Sequence, residues 1–498
     1  MPKATLTRAH PAARWAAASV LLAGCLAGCI TSSAQEISAP PPKPLAPCAW
    51  WYGIGQPPTS QEIELAARRY QVVVLNADQG AAMRRLHQLN PRVKVLVYKD
   101  LSSTRNYPGA VDGGQDAVFL PSGIGYVSAQ EHHPEWFARD VKGRRIEWQG
   151  YPKHWQMAVW NPDYQQAWTD AVVAEVTREG WDGVLADNDF NSLSHYSSAV
   201  LAGTANVAGT DRKLRDGLDA FLSKAGDALT KADKLLVPNV SETHLVPGRW
   251  TAHSRFGGAM EENFGFRENG GTGGLLTFRG NEFQELRAQA ALGESWLLLV
   301  TRTHNAREER SGYASAALLA GPRTCWTRAT TDDYRDPEWS TLQDSGLGEA
   351  VDAASRLPNG VWTRTFTHGW VAVNTTASTQ TVVPPEGLVV PGALAPTPTP
   401  TLTATRTSAS TSASRTPTST SAPTSTPAST STSTSVSTST SAPTSTSTPT
   451  PTPTSTPAPP PLTVEAADAV VLVDPPQVMA SAWRITRDEF RAGSHWAR

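Results

Sequence analysis

The chain has 498 residues, of which 39% are apolar and 17 are Trp, and its formal net charge at pH 7 is −2. That length and apolar content allow a large core and more than one domain, which excludes a wholly disordered protein. The balanced charge excludes the basic field that nucleic-acid binding needs, so no nucleic-acid partner is expected.

At the start of the chain, Lys3, Arg8 and Arg14 precede the apolar run "WAAASVLLAGCLAGC". The run is shorter than the roughly 18 residues of a membrane span and reads as an export signal. It holds "LAGC" twice, ending at Cys25 and Cys29, and each copy resembles the lipobox of bacterial lipoproteins, in which the Cys becomes the lipidated first residue. Acylation at Cys29 leaves Cys48 and Cys325 as an even pair, whereas acylation at Cys25 leaves an odd thiol. Residues 1–28 are therefore read as a lipoprotein signal peptide and Cys29 as the lipid anchor to a membrane at the bacterial cell surface; an ordinary cleaved signal is the alternative. Residues 29–47 are Pro- and Ser-rich and read as a tether.

From Cys48 onward, short β-rich runs alternate with helical patterns. "CAWWYGIG" (48–55) is followed by "SQEIELAARRY", "QVVVLN" (71–76) by "GAAMRRLHQL", and "VKVLVYKD" (93–100) by a long irregular segment, 101–160. A loop of that length is usually functional or disordered, and its Trp136, Trp148, Trp155 and Trp160 argue against disorder. "NPDYQQAWTDAVVAEVTREG" is a helix with Asn161 as N-cap, Pro162 at the first position and Gly180 as the stop. The strand "DGVLADN", the helix "RDGLDAFLSKAGDALTKA" and the strands "KLLVPNV" and "FGGAMEENF" come next, the last two separated by a weakly marked helix. "NEFQELRAQAAL", "SWLLLVTR", "SGYASAALLA" and "RTCWTR" complete the series. Eight parallel strands in about 280 residues predict a (β/α)8 TIM barrel over 48–357. An open doubly wound sheet is the alternative, but no Gly-rich phosphate fingerprint follows the first strand. Barrel closure makes the strands of Cys48 and Cys325 neighbours, so a disulfide between them is expected, with two buried thiols as the alternative.

Beyond Pro358 the period changes to two, in "GVWTRTF", "HGWVAVN" and "TQTVVP", which are antiparallel hairpin signals. Residues 396–461 are almost wholly Ser, Thr, Pro and Ala, with only Arg406 and Arg415 charged, a composition that cannot bury enough surface to fold. Strand-like sequence resumes at 462–474. The tract is read as a disordered insertion in a small antiparallel β-sandwich formed by 358–395 and 462–474, since loop-closure cost grows only logarithmically with length. A plain linker with an unrelated tail is the alternative. The tail, 475–498, carries no structural signal.

Active sites of such barrels lie at the C-terminal strand ends. Two strands end in related hexads, "GVLADN" (183–188) and "GAMEEN" (258–263). Strand alternation puts Gly183, Leu185 and Asp187 on one face, and the same phase puts Gly258, Met260 and Glu262 together and turns Glu261 away. As strands four and six, they stand about 10 Å apart at roughly 4.8 Å per strand, which leaves a gap of about 5 to 9 Å between inward-leaning carboxylates. That range spans both outcomes of two-carboxylate glycoside hydrolysis, retention at about 5–5.5 Å and inversion at about 6.5–9.5 Å. Glu262 is assigned as acid and Asp187 as nucleophile or base, with the exchange of roles left open. Asn76, Asp100, Asn239, Glu242 and Arg302 at other strand ends are candidates to bind sugar hydroxyls, and Asn188 and Asn263 to support the carboxylates. Trp51, Tyr52 and the loop tryptophans, Trp160 among them, are candidates to stack on pyranose faces. Packing of the long loop is the competing role for Trp136, Trp155 and Trp160. No metal site is expected at His132 and His133, because no HExxH or spaced Cys/His set accompanies them.

The segments "HPEWFARDVKGRRIEW", "WNPDYQQAW", "GWDGVLADN", "GGAMEENF" and "NGVWTRTFTHGWVAVN" resemble hypothetical glycosyl hydrolase family 15 and, more distantly, the endo-α-1,4-polygalactosaminidase group. The resemblance covers about 48–383 and 462–473. It implies a glycoside-hydrolase barrel whose catalytic pair maps onto Asp187 and Glu262, and it supports the split sandwich; the Ser/Thr/Pro insertion departs from the family pattern. The expected protein is an exported, lipid-anchored, monomeric glycoside hydrolase acting on a polysaccharide or oligosaccharide without a cofactor. A non-catalytic carbohydrate-binding lipoprotein on the same scaffold is the alternative.

Overall fold

The computed structural model describes residues 45–50, 52–53, 55–240, 243–265, 275–330, 339–391 and 460–475. Eight parallel strands close a barrel in sequential order: β1 (Ala46–Ala49), β2 (Val72–Leu75), β3 (Lys94–Asp100), β4 (Gly183–Asp189), β5 (Leu235–Val240), β6 (Gly258–Glu261), β7 (Trp296–Arg302) and β8 (Thr324–Ala329). One main helix separates each consecutive pair: α1 (Ser60–Arg69), α2 (Gly80–Leu89), α3 (Pro162–Glu179), α4 (Val207–Lys231), α5 (Arg249–Ser254), α6 (Glu282–Leu292) and α7 (Ala306–Leu318). The chain thus forms the (β/α)8 barrel that its alternating pattern predicts.

Local chemistry sets the helix ends. Thr59 and Glu62 form a capping box before α1, each side chain bonded to the other's main-chain N–H. Asn161 Oδ1 accepts from the main-chain N–H groups of Asp163 and Tyr164 at the start of α3, and Gly180 closes that helix at φ 87°. Strand side chains on the inner face, among them Val74, Leu96, Leu185, Val237, Met260 and Leu298, fill the barrel. Those on the outer face join the helices. The leading glycines of the two hexads have a common steric role. A Cβ on Gly183 would collide with the Leu235 carbonyl, and one on Gly258 would stand 2.6 Å from the Trp296 carbonyl.

Two boundaries differ from the sequence reading. The first strand begins at Ala46, inside the segment read as tether, with Ala46 and Pro47 paired to Cys325 and Trp326. Proline removes only its own donor; the Pro47 carbonyl still accepts from Gln71 N–H at 3.0 Å. The antiparallel region begins before Pro358, because β9 (Ser355–Arg356) pairs with β10 (Val361–Phe366). Pro358 lies in the turn of that hairpin, which Gly360 completes at φ 90°.

β11 (Gly369–Asn374) and β14 (Ala469–Val473) extend this sheet, and β12 (Gln380–Val382) pairs with β13 (Leu462–Val464), Val382 opposite Leu462. Strands from both sides of the Ser/Thr/Pro tract therefore share sheets, and Val361, Trp370, Ala372, Val382, Val464 and Leu472 form a core between them. The tract itself, apart from Pro460 and Pro461, lies outside the described residues, as do the signal segment with Cys29 and the tail from 476 onward. The outer face packs on α7, where Arg310 grips Asp468 through Nε and Nη2. Arg364 donates to the carbonyls of Leu318, the last residue of that helix, and of Ala320 just beyond it.

Candidate active site

β4 ends in an irregularity that separates two neighbouring acids. Its register with β5 shifts between Ala186 and Asp189, and Asn188 takes a left-handed φ of 68°. Asp187 consequently faces the barrel mouth, while Asp189, two residues on, is buried on the outer side against Arg249 and His253 of α5. On β6, Met260 fills the barrel, and Glu262, just past the strand's last residue, lines the mouth. Glu261 turns outward and accepts from Thr243 Oγ1 at 3.2 Å and Asn263 N–H at 3.1 Å. Burial, then the neighbouring Glu282 charge, push the Glu261 carboxyl well above the usual range.

Asn239, at the end of the intervening β5, ties the two mouth carboxylates together. Its Nδ2 donates to Asp187 Oδ1 and to Glu262 Oε2, both at 2.9 Å. Two bonds of that length from one nitrogen put the two oxygens no more than about 5.8 Å apart. The roughly 120° between amide hydrogens brings them to about 5 Å. Arg302 Nη2 donates to Glu262 Oε1 at 2.9 Å. Asp187 accepts three further bonds, from Tyr98 OH at 2.6 Å, Asn188 N–H at 2.9 Å and Asn188 Nδ2 at 3.3 Å. Burial, then the charges of Glu262 and Asp100, push the Asp187 carboxyl up to about 6, against the hydrogen bonds from Tyr98 and Asn239.

The carboxylates open into a cavity of about 310 Å³. One wall is aromatic and comes from the loops after β3 and β4: Tyr107, Trp148, Tyr151, His154, Phe190 and Tyr196. Trp148 stacks on Tyr196 with centroids 3.9 Å apart and planes at 7°, and lies nearly parallel to His154 at 5.8 Å. Burial, then the Arg105 charge, lower the pKa of His154 and favour the neutral ring. The short pairing of Ser103–Arg105 with His154–Gln156 gives the long loop its frame.

Of the other residues singled out in the sequence, Asn188, Asn239, Asn263, Arg302 and the loop tryptophan Trp148 line this cavity. Tyr52 does not: it is buried in the outer core, its main-chain N–H bonded to the Val74 carbonyl. The strand stops at Ala49, so its neighbour Trp50 is the residue that reaches the cavity. Asn76 lies away from the cavity at the start of a short helical turn, where its N–H donates to Gln79 Oε1. Asp100 is fully buried and holds the N–H groups of Ser102 and Ser103 and the guanidinium of Arg105. Trp160 packs against α4 near Gly217, with Lys213 Nζ 4.5 Å from its ring centroid. Trp136 stacks on His133 at 3.8 Å, and Trp155 donates to Asn106. Trp51 and Glu242 lie outside the described residues. Cys48 and Cys325 form a disulfide between β1 and β8, with Cα atoms 5.5 Å apart.

Tyr98 and Arg105 were not singled out in the sequence. Tyr98 shares the inward phase of Leu96 on β3, and the alternation that selected Asp187 selects it too. Arg105 sits in an irregular loop with no periodic signal. His154 and Tyr196 reach the cavity only through loop tertiary structure.

The model of hypothetical glycosyl hydrolase family 15 matches residues 87–370, more than half of the chain. No curated protein matches in sequence. Similar solved structures include a cycloalternan-degrading enzyme from Trueperella pyogenes, 11% identical with a TM-score of 0.38, covering 70% of this chain and 59% of that one. An α-galactosidase from Geobacillus stearothermophilus is 8% identical with a TM-score of 0.37, covering 70% of this chain and 49% of that one. An α-amylase from Geobacillus thermoleovorans is 10% identical with a TM-score of 0.35, covering 66% of this chain and 83% of that one. The chain thus spans about half the length of the first two.

Proposed function

We propose that this chain, which belongs to hypothetical glycosyl hydrolase family 15, cleaves O-glycosidic bonds of a polysaccharide or oligosaccharide with retention, using Asp187 as nucleophile and Glu262 as acid and base. The observation that carries this reading is the Asn239 amide shared by both carboxylates. It limits their nearest oxygens to a separation that suits direct attack on the anomeric carbon, about 5–5.5 Å, rather than the about 6.5–9.5 Å that leaves room for a water.

We assign the nucleophile to the carboxylate with the fuller set of neutral donors, Glu262 accepting from Asn239 and from Arg302. Each Asp187 oxygen accepts two hydrogen bonds, an environment suited to an acceptor-only, ionised carboxylate. With its pKa at about 6, Asp187 is mostly ionised at neutral pH. In the first step Asp187 attacks the anomeric carbon and the leaving oxygen takes the Glu262 proton. In the second, water attacks the same carbon, its proton passes to Glu262 and the electron pair returns to Asp187. The aromatic wall offers apolar surface to the sugar ring, and the neutral His154 keeps that wall uncharged.

The chain also works, on this reading, as a monomer exported and anchored to a membrane through a lipid on Cys29. Metabolic labelling with a radioactive fatty acid tests the anchor: label on wild type and none on Cys29→Ser is the expected result. Screening a glycan panel for released reducing ends tests the activity. Wild type should cleave, and Asp187→Asn and Glu262→Gln should not. Binding of a glycan without cleavage by wild type, retained in both variants, would instead favour a carbohydrate-binding lipoprotein.

A further inference from the structure

Tyr98 stands between the proposed nucleophile and a buried cation. Its ring is fully buried inside the barrel. Its phenol oxygen lies 2.6 Å from Asp187 Oδ2 and 3.0 Å from Arg105 Nη2. A guanidinium has donors and no acceptor, so Arg105 can only donate to the phenol. The phenol's own hydrogen is thereby directed at Asp187. Arg105 is fixed in turn: Nη2 also donates to Asp100 Oδ2 at 3.1 Å, and Nη1 to Tyr107 OH at 3.2 Å. Asp100 is itself held by Ser102 N–H, Ser103 N–H and Ser103 Oγ at 2.6 to 3.0 Å. The chain of contacts therefore runs from a rigid loop start, through a buried cation and a phenol, to one oxygen of Asp187.

We infer that Tyr98, oriented by Arg105, is a positioning residue that holds Asp187 Oδ2 as the non-attacking oxygen and stabilises the carboxylate when the glycosyl group departs. This rests on the reading of Asp187 as nucleophile. When Oδ1 bonds to the anomeric carbon, Oδ2 becomes the ester carbonyl oxygen and its bond from Tyr98 weakens as charge leaves it. In the second step the Oδ1–carbon bond breaks and its electron pair returns to Asp187. Water's oxygen bonds to the same carbon and water's proton goes to Glu262. Charge reappearing on Oδ2 meets a phenol hydrogen already in place, so no reorganisation is needed.

Replacement Tyr98→Phe keeps the ring and deletes the hydrogen bond. The expected result is a kcat lower by roughly 10- to 100-fold, the range for a hydrogen bond to a charged group. The acid limb of kcat/KM should move upward, because the lost bond favoured ionised Asp187. Carbon-13 NMR of labelled aspartate carboxyls gives the same readout without a substrate: the Asp187 titration midpoint should rise by on the order of one pH unit. An unchanged midpoint in folded Tyr98→Phe, with a near-wild-type thermal transition, would overturn the inference, as would a kcat loss with no movement of the acid limb. If wild type cleaves no glycan, the enzyme reading fails alone, and the carboxyl titration still decides the role of Tyr98.

Discussion

Asp187 and Asp189 are two residues apart on one strand, one facing the cavity at the barrel mouth and the other buried on the outer side, and they are set up in opposite ways. Asp187 is surrounded by neutral donors, with Glu262 as a like-charged neighbour tied to it through Asn239. Asp189 sits in a cationic clasp: Arg249 Nη2 contacts Oδ1 and His253 Nδ1 lies 2.6 Å from Oδ2, while Asp219 holds the far sides of both cations. Burial alone would raise the pKa of Asp189, but Arg249 and His253 outweigh it and hold the carboxyl below its usual range. On Asp187, burial acts together with the Glu262 charge and lifts the carboxyl to about 6. A buried acid given cationic partners is a structural anchor; one given neutral donors and a like charge keeps its ionisation near working pH, where it can be used in chemistry.

This contrast can be broken first at Asp187. Replacement by Gly should lower kcat by at least about 10³-fold with little change in thermal stability, and azide should restore turnover by serving as the nucleophile. Full activity in that variant would remove Asp187 from the chemistry. Asp189→Asn should have the opposite profile, costing about 3–5 kcal/mol in denaturant unfolding because Arg249 and His253 lose their buried anion. A stable variant would show the clasp to be dispensable.

The pH dependences sharpen the contrast further. Burial alone would lower the pKa of His253, but Asp189 raises it to about 8. A raised histidine stabilises the fold fully below its unfolded pKa near 6.5, and the contribution is lost as pH rises through about 8, so unfolding free energy should fall by about 2 kcal/mol over that window. Activity should instead fall on the acid side, as pH drops through about 6 and Asp187 takes up a proton. The smallest effect is expected at Glu261, where burial suppresses ionisation and makes the neutral isostere a fair mimic: Glu261→Gln should keep kcat within about twofold and stability within about 1 kcal/mol, whereas Glu262→Gln should abolish turnover.

The barrel was legible because most strands are apolar runs buried on both faces and most helices carry a cap or stop, the weakly marked α5 being an exception. The phase of "GAMEEN" separated Glu262 from Glu261 for the same reason: side chains alternate along a strand whatever surrounds it. The asymmetry of Asp187 and Asp189 was not legible, since simple alternation puts both on one face. The left-handed Asn188 and its register shift depend on contacts with β5 and α5, which no local pattern encodes. The aromatic wall was only half readable. The density of Trp and His marked the long loop, but stacking and burial decide that Trp148 and His154 reach the cavity while Trp136 and Trp155 pack beneath it.

The central claim is that Asp187 and Glu262 are close enough for a covalent glycosyl intermediate. Proton NMR of the anomeric signal, recorded within the first turnovers on a glycan the protein cleaves and before mutarotation, tests it most directly. Retained configuration in the first product is the predicted result, and inverted configuration would contradict the account.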